Sequence, residues 1–301
     1  MLEQEQVKNT GAQKQWSFSY GANIADKIFL GAGIGFSSLR YKSSKTYTES
    51  NYFFVLDPQY RPLDNMVLNE ELVISGSGIN ANLGIIARPV DVLQVGLSYT
   101  TPTLYQLSDS YSASMNTRWN NFDYYGDNSI VLNNENAFTQ LVTSDYTYTA
   151  PGKLSLGATG FIQKQGFITV DAEFVNYNKA KYSTITTGIS YTQENNDIKA
   201  LYQPTVNYRV GGEYRLKDFR ARAGFAYMPD PFRTKQNGTD RTISSLSGGL
   251  GYRGQKFYVD VATIFSSGNT SYRPYNVGAN SPLVTTKNKN TSVILTLGFP
   301  L

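Results

Sequence analysis

Arg220 and Arg222 stand two residues apart, as do Asp171 and Glu173, and Glu213 and Arg215; Arg209, Arg253 and Asp260 extend the set. Side chains at this spacing point to the same side of a strand. Planar guanidinium forks grip carboxylates through paired hydrogen bonds. One reading is therefore a ladder of arginines that meets the acid group of a ligand. The other is that these arginines and carboxylates pair with one another, filling and stiffening an interior. The cost of an unpaired interior charge favours the second. Under the first, Arg220 and Arg222 are the best candidates for ligand contact, because two like charges on one face leave surplus positive charge. Arg209, Arg215, Asp171, Glu173 and Glu213 complete the candidate set.

Other chemistry is poorly supplied. Asp171 and Glu173 invite acid–base hydrolysis by paired carboxylates, but nothing in the sequence provides the partner strand or cleft that it needs. The chain has no His and no Cys, which removes His- or thiolate-based nucleophilic catalysis and thiolate zinc sites. Gly31, Gly33 and Gly35 lie within a strand-like alternation and lack the lysine of a phosphate loop. With 23 tyrosines, none stands out as a haem ligand. The expectation is no enzyme, no cofactor and no metal.

Composition narrows the class. Charged residues make up 17% of the 301, against roughly 25% in an average soluble domain. The net charge of +4 is too mild to imply a nucleic-acid partner. Mean hydropathy is −0.35, and no apolar run approaches the roughly twenty residues of a membrane helix. The opening Met1-Leu2-Glu3-Gln4-Glu5-Gln6 lacks the basic and apolar regions of an export signal.

The elements that must position these charges have a period of two. Ile28, Leu30, Ala32, Ile34 and Phe36 alternate with Phe29, Gly31, Gly33 and Gly35. Ile79, Ala81, Leu83 and Ile85 alternate with Asn80, Asn82 and Gly84; Val293, Leu295, Leu297 and Phe299 alternate with residues that include Thr296 and Gly298. The alternating stretches exceed the five or six residues usual in soluble strands and reach the roughly nine to eleven that cross a bilayer. Aromatics toward their ends, such as Tyr99, Phe167, Tyr214, Phe219 and Phe265, suit interfacial girdles.

Connection lengths repeat the pattern. Short turns are expected near residues 24–27, 88–91, 164–166, 217–218 and 254–256, and long polar connections near 43–70, 113–138, 178–197, 229–242 and 266–290. Outer-membrane barrels have short periplasmic turns and longer extracellular loops. The regularity requires residues 141–162 to be one strand that tolerates Pro151, although Pro inside a strand normally marks an edge or a bulge. The expected fold is all-β: an antiparallel transmembrane β-barrel with about eleven strands. Residues 1–14 form a polar lead, the first strand covers 16–23, and 15–301 form the barrel. An odd strand number conflicts with the even number of bacterial barrels, so the expectation is the C-terminal part of a longer, exported protein.

A family resemblance agrees. It rests on Gly78-Ile79-Asn80-Ala81-Asn82-Leu83-Gly84-Ile85-Ile86-Ala87-Arg88-Pro89, with Val95-Gly96-Leu97-Ser98-Tyr99-Thr100-Thr101-Pro102-Thr103 and Asp109-Ser110-Tyr111. It continues through Ala150-Pro151-Gly152-Lys153-Leu154-Ser155-Leu156-Gly157, Asp171-Ala172-Glu173-Phe174-Val175-Asn176-Tyr177-Asn178-Lys179-Ala180 and Val210-Gly211-Gly212-Glu213-Tyr214-Arg215. These blocks resemble the FadL-type outer-membrane transporters of hydrophobic compounds, in particular their Bacteroidetes branch. The resemblance implies a fourteen-stranded barrel with an N-terminal hatch, here without hatch or signal, and passive uptake of fatty acids or other hydrophobic molecules. It implies outer-membrane lipid and the barrel-assembly machinery as partners. The terminal Gly298-Phe299-Pro300-Leu301 departs from an aromatic-terminated assembly signal, leaving Phe299 to serve. A general porin and a surface adhesin are the competing readings.

Overall fold

Period-two alternation produces strands almost wherever the chain is described, and Pro or long polar runs decide where they break. The computed structural model describes residues 2–52, 62–163, 165–274, 278 and 281–299. Its strands are β1 (Leu2–Ile24), β2 (Ile28–Ser50), β3 (Leu63–Val90), β4 (Leu93–Thr100), β5 (Thr103–Asp123), β6 (Val131–Phe138), β7 (Val142–Ala150) and β8 (Lys153–Ile162). They continue as β9 (Gly166–Asn176), β10 (Lys181–Ser183), β11 (Pro204–Leu216), β12 (Phe219–Met228), β13 (Ile243–Arg253), β14 (Tyr258–Tyr272) and β15 (Val284–Gly298). Helix α1 (Thr192–Leu201) precedes β11. All strands join one sheet, and β8, β9 and β11 to β15 are neighbours in that order, every described pair antiparallel. Among the described residues β1 pairs with β2 alone and β15 with β14 alone, so the sheet is not closed.

The short turns fall near their expected positions, after Ile24, Val90, Ile162, Leu216 and Arg253; Lys164, part of one of them, lies outside the described residues. The long connections differ. The first strand begins at Leu2 rather than at residue 16, and β2 and β3 run far into the expected connection 43–70, whose residues 53–61 lie outside the described set. In 113–138, β5 continues to Asp123 and β6 folds back on it, pairing Ser114 with Phe138. The reason is common to these cases. Strands here are polar on both faces, so backbone hydrogen bonds extend them without any apolar alternation to read. Residues 275–277, 279–280, Pro300 and Leu301 also lie outside the described set.

Pro151 breaks its strand instead of being absorbed: β7 ends at Ala150 and β8 starts at Lys153. The neighbouring strand breaks too, between β4 and β5 at Thr101-Pro102. At Gly152 an added Cβ would lie 2.8 Å from the Thr100 carbonyl oxygen and 3.1 Å from Pro102 Cδ. A side chain there has no room. With each broken pair counted as one strand, and hairpin β6 and the three-residue β10 set aside, eleven strands remain. Helix α1 had no sequence signal, since Thr192–Leu201 carries no apolar stripe. A Gln193–Asp197 hydrogen bond of 2.9 Å supports it, and Asn195 anchors it by bonding both the N–H and the carbonyl of Tyr182.

Contacts divide the chain into two units. The first comprises residues 1–16, 36–78 and 105–147. One face of its β1 and β2 is knitted by polar side chains: Gln13 Nε2 donates to the Tyr105 hydroxyl at 2.8 Å, and Ser37 Oγ donates to Gln15 Oε1 at 3.2 Å. The second comprises residues 17–35, 79–104 and 148–301. It holds the charged residues singled out by their spacing. Among the described residues Tyr105 and Val175 are the buried hydrophobic side chains, while dozens of large apolar ones are exposed. Apolar side chains face outward here, the reverse of a water-soluble domain.

Candidate functional site

On β11, Asn207, Arg209, Gly211, Glu213 and Arg215 share one face, and Tyr208, Val210, Tyr214 and Leu216 share the other. Register carries this partition across neighbouring strands. Glu213 lies opposite Arg222 and Arg215 opposite Arg220, while Gly251 on β13 lies opposite both Arg220 and Asp260. Four strands thus bring residues distant in sequence into one charged row.

Glu213 is its hub. The side chain is only 6% exposed, and both oxygens are engaged. Arg215 Nε donates to Oε1 at 2.5 Å and Arg222 Nε donates to Oε2 at 2.7 Å. Arg220 Nη1 stands 3.7 Å from Oε1, an ion-pair distance too long for a hydrogen bond. Arg222 also reaches across β13, where Nη1 donates to Asp260 Oδ1 at 2.5 Å. Gly251 makes that reach possible, because a Cβ there would collide with the Asp260 carboxylate. Three arginines meet two carboxylates, leaving one net positive charge. Arg220 carries it most plainly, since its Nε is buried with no hydrogen-bond partner.

A second cluster lies on β9 and β11. Glu173 Oε1 accepts from Asn207 Nδ2 at 2.9 Å and from Arg209 Nη2 at 3.2 Å. Asp171 is the exception. Register sets it opposite Arg209, yet Arg209 turns to Glu173, and Asp171 has no ion pair among the described residues. Its carboxylate rests over Gly157, where an added Cβ would lie 2.6 Å from Oδ1. Gly157 in turn faces Gly96 on β4. With Gly31, Gly84, Phe29 and Ile86 these residues border a space of about 350 Å³ that ends at Asp171.

Of the seven candidates, Glu213, Arg215, Arg220 and Arg222 meet at one hub, Arg209 and Glu173 form a separate pair, and Asp171 joins neither. Asp260 belongs with the hub. The sequence reading missed Asn207, which is 4% exposed, although it precedes Arg209 by two and shares its face. Phe167, expected in an interfacial girdle, stands opposite Glu213 and has the Arg215 guanidinium over its ring at 5.7 Å. No sequence signal marks that contact, which follows from register.

The opposite face of these strands is apolar and exposed: Val210, Phe225, Leu246, Leu250 and Phe265 lie on it, Leu250 being 70% exposed. Paired charge on one face and uncovered hydrocarbon on the other is the pattern of a sheet solvated by lipid. Sequence comparison agrees. The profile of the outer membrane protein transport protein family (OMPP1/FadL/TodX) matches residues 6–299. The chain belongs to this family. It is an outer-membrane transport protein of the bacterial envelope, and the all-β architecture is that of the family.

A solved structure agrees in fold. The Ralstonia pickettii toluene transporter TbuX is 15% identical, with a TM-score of 0.53 over 96% of this chain and 69% of that one. The Pseudomonas putida toluene transporter TodX is 13% identical, with a TM-score of 0.45 over 98% and 86%. The CymD monoaromatic hydrocarbon channel is 11% identical, with a TM-score of 0.46 over 99% and 88%. No curated protein sequence matches the chain.

Proposed function

We propose that this FadL-family protein is a passive channel for hydrophobic small molecules, with aromatic hydrocarbons or long-chain fatty acids as the substrate class. The reading rests on the contrast within the polar face. Around Glu213 the charges are consumed in mutual pairs, whereas Gly96 and Gly157 leave an open trough beside Phe29 and Ile86. A hydrocarbon crossing such a surface meets backbone, small side chains and an aromatic ring. No bond is made or broken, so neither nucleophile nor cofactor has a part. TbuX is a toluene transporter, and toluene needs no charged contact. A fatty acid needs one for its headgroup, and Arg220 is the residue suited to it, because the hub carries one net positive charge and Arg220 Nη1 stands 3.7 Å from Glu213, too far for a hydrogen bond. The apolar face takes outer-membrane lipid as its solvent, and the barrel-assembly machinery inserts it there.

Uptake of labelled toluene and labelled oleate into liposomes containing the protein tests the reading. Saturable flux of either, without conductance of polar solutes, is the expected result. Polar conductance without saturable uptake would make the protein a general porin. Arg220→Gln then separates the substrates: oleate uptake falls by roughly tenfold or more, in line with loss of a charge-assisted hydrogen bond, while toluene uptake is unchanged.

A further inference from the structure

The strand segments of the first unit carry a set of cations turned away from that unit's own hydrogen-bonded polar side chains. Their orientation follows from their neighbours. On β1, Gln13 and Gln15 bond to Tyr105 and Ser37, and Glu5 pairs with Lys45 at 2.9 Å. Odd positions of β1 therefore share one face, and Lys8, Lys14 and Trp16 point to the other. On β2, Ser37 is buried at 4% exposure while Phe36 is 48% exposed. Arg40 and Lys42 consequently lie on the same outward side as Phe36. The strands are pressed together here, because a Cβ on Gly11 would lie 2.7 Å from the Arg40 carbonyl oxygen.

This outward face is one-sided in charge. From Gln4 to Trp16 on β1, and from Phe36 to Ser50 on β2, its positions hold four cations and no acid. Glu71 on β3 pairs with Lys42 at 2.8 Å. Lys8, Lys14 and Arg40 have no acid partner among the described residues. Trp16 and Phe36 lie on the same face, next to Lys14 and Arg40, Trp16 being 75% exposed; Lys8 stands about 26 Å from Trp16 along β1. The turn joining β1 to β2 is short, Ala25 to Lys27, so the cations lie toward the long-loop, extracellular end. Aromatics of this kind mark the membrane–water boundary, and the cations just beyond them, Lys14 and Arg40, stand at the level of lipid headgroups.

We propose that Lys14 and Arg40 form a binding surface for the phosphate groups of an outer-leaflet lipid, whose acyl chains lie against Trp16 and Phe36. The commitment to a lipid rests on the join of the two features: unneutralised positive charge meets exposed aromatic surface on one strand face, matching a molecule with an anionic head and an apolar body. A water-borne anion would use only the first feature.

The test uses the full-length protein in maltoside detergent, titrated with fluorescent bisphosphorylated lipid A and with the same lipid after removal of both phosphates. The expected result is tighter binding of the phosphorylated form, weakened about twenty-fivefold in the double variant Lys14→Gln, Arg40→Gln, since each cation near a charged surface contributes about a factor of five. Binding of the dephosphorylated lipid stays the same. Equal binding of the two lipids by the unaltered protein, or unchanged binding by the variant, would overturn the proposal. Competition by inorganic phosphate at concentrations comparable with the lipid would overturn it in favour of a free-anion site. If the double variant fails to fold, salt dependence decides: binding of the phosphorylated lipid weakens between about 50 and about 300 mM salt as screening shortens, and its constancy would overturn the proposal.

Discussion

Around Glu213 three arginines converge on one buried carboxylate, and a second carboxylate, Asp260, meets Arg222 from two strands away. Along the outward face of β1 and β2, three cations meet none among the described residues. The residue types are alike in the two regions, and what differs is the solvent that each face must satisfy. A row enclosed by neighbouring strands has to neutralise itself, because an unpaired charge there costs several kcal/mol. A face at the headgroup level can leave its charges to phosphates and water. Local pairing therefore marks the charges that hold the sheet together, and its absence marks those available to something else.

The largest expected effect tests the first half of that contrast. Glu213→Gln leaves Arg215, Arg220 and Arg222 confronting one another. Loss of one partner from a buried charge network typically costs about 3–5 kcal/mol, and the partial exposure of the arginines sets the expectation near the lower end. Chemical unfolding of the refolded protein, followed by its heat-modifiable gel mobility, measures it. Lys14→Gln on the outward face should leave unfolding essentially unchanged. Similar losses from both would erase the distinction.

A smaller effect probes the reach across β13. Gly251→Ala sets a methyl group against the Asp260 carboxylate, and overpacking of this kind costs about 1–3 kcal/mol. Gly160→Ala is the control, since nothing lies within 4 Å of its Cβ position. If Asp260→Asn is combined with Gly251→Ala, the two losses should be less than additive, because the methyl group already disrupts the Asp260–Arg222 bond. Strict additivity would mean that Asp260 is held by something other than Arg222.

The smallest effect lies in the connection between β12 and β13, outside the spanning strands. Hydrogen bonds from Thr242 hold the Asp240 carboxyl below its ordinary value, with the Lys235 ammonium at 3.3 Å adding to them. A depressed folded-state value means that this contribution is present above the unfolded aspartate range, near pH 4, and is lost as pH falls through the lower folded value. Proteolysis of the connection should accelerate slightly over that window and not at neutral pH. An Asp240→Asn variant should lose the pH dependence.

The sequence was most legible where two faces differ. Alternation at Ile28 to Phe36, Ile79 to Ile85 and Val293 to Phe299 corresponds to observed strands, and the short turns fall close to their expected places. Legibility failed where both faces are polar. Residues 2–15 and the β5–β6 hairpin are strand without any apolar period, and α1 is helix without an apolar stripe. Pro151 shows another limit. Its effect depends on the matching break at Thr101-Pro102 in the neighbouring strand, and that coincidence is invisible along the chain.

What the sequence determined by itself is the class of solvent and the faces: a period of two, apolar on one side and charged on the other, with long strands and no His or Cys. It selected the charged residues as well, because spacing by two fixes which side chains share a face. What only the tertiary structure decided is partnership. Register makes Glu213 the meeting point of Arg215, Arg220 and Arg222, lets Asp260 cross Gly251, and leaves Asp171 over Gly157 without an ion pair among the described residues. The physical reason is that alternation constrains direction within one strand. A one-residue slip between strands would preserve every local pattern along the chain while exchanging every cross-strand contact.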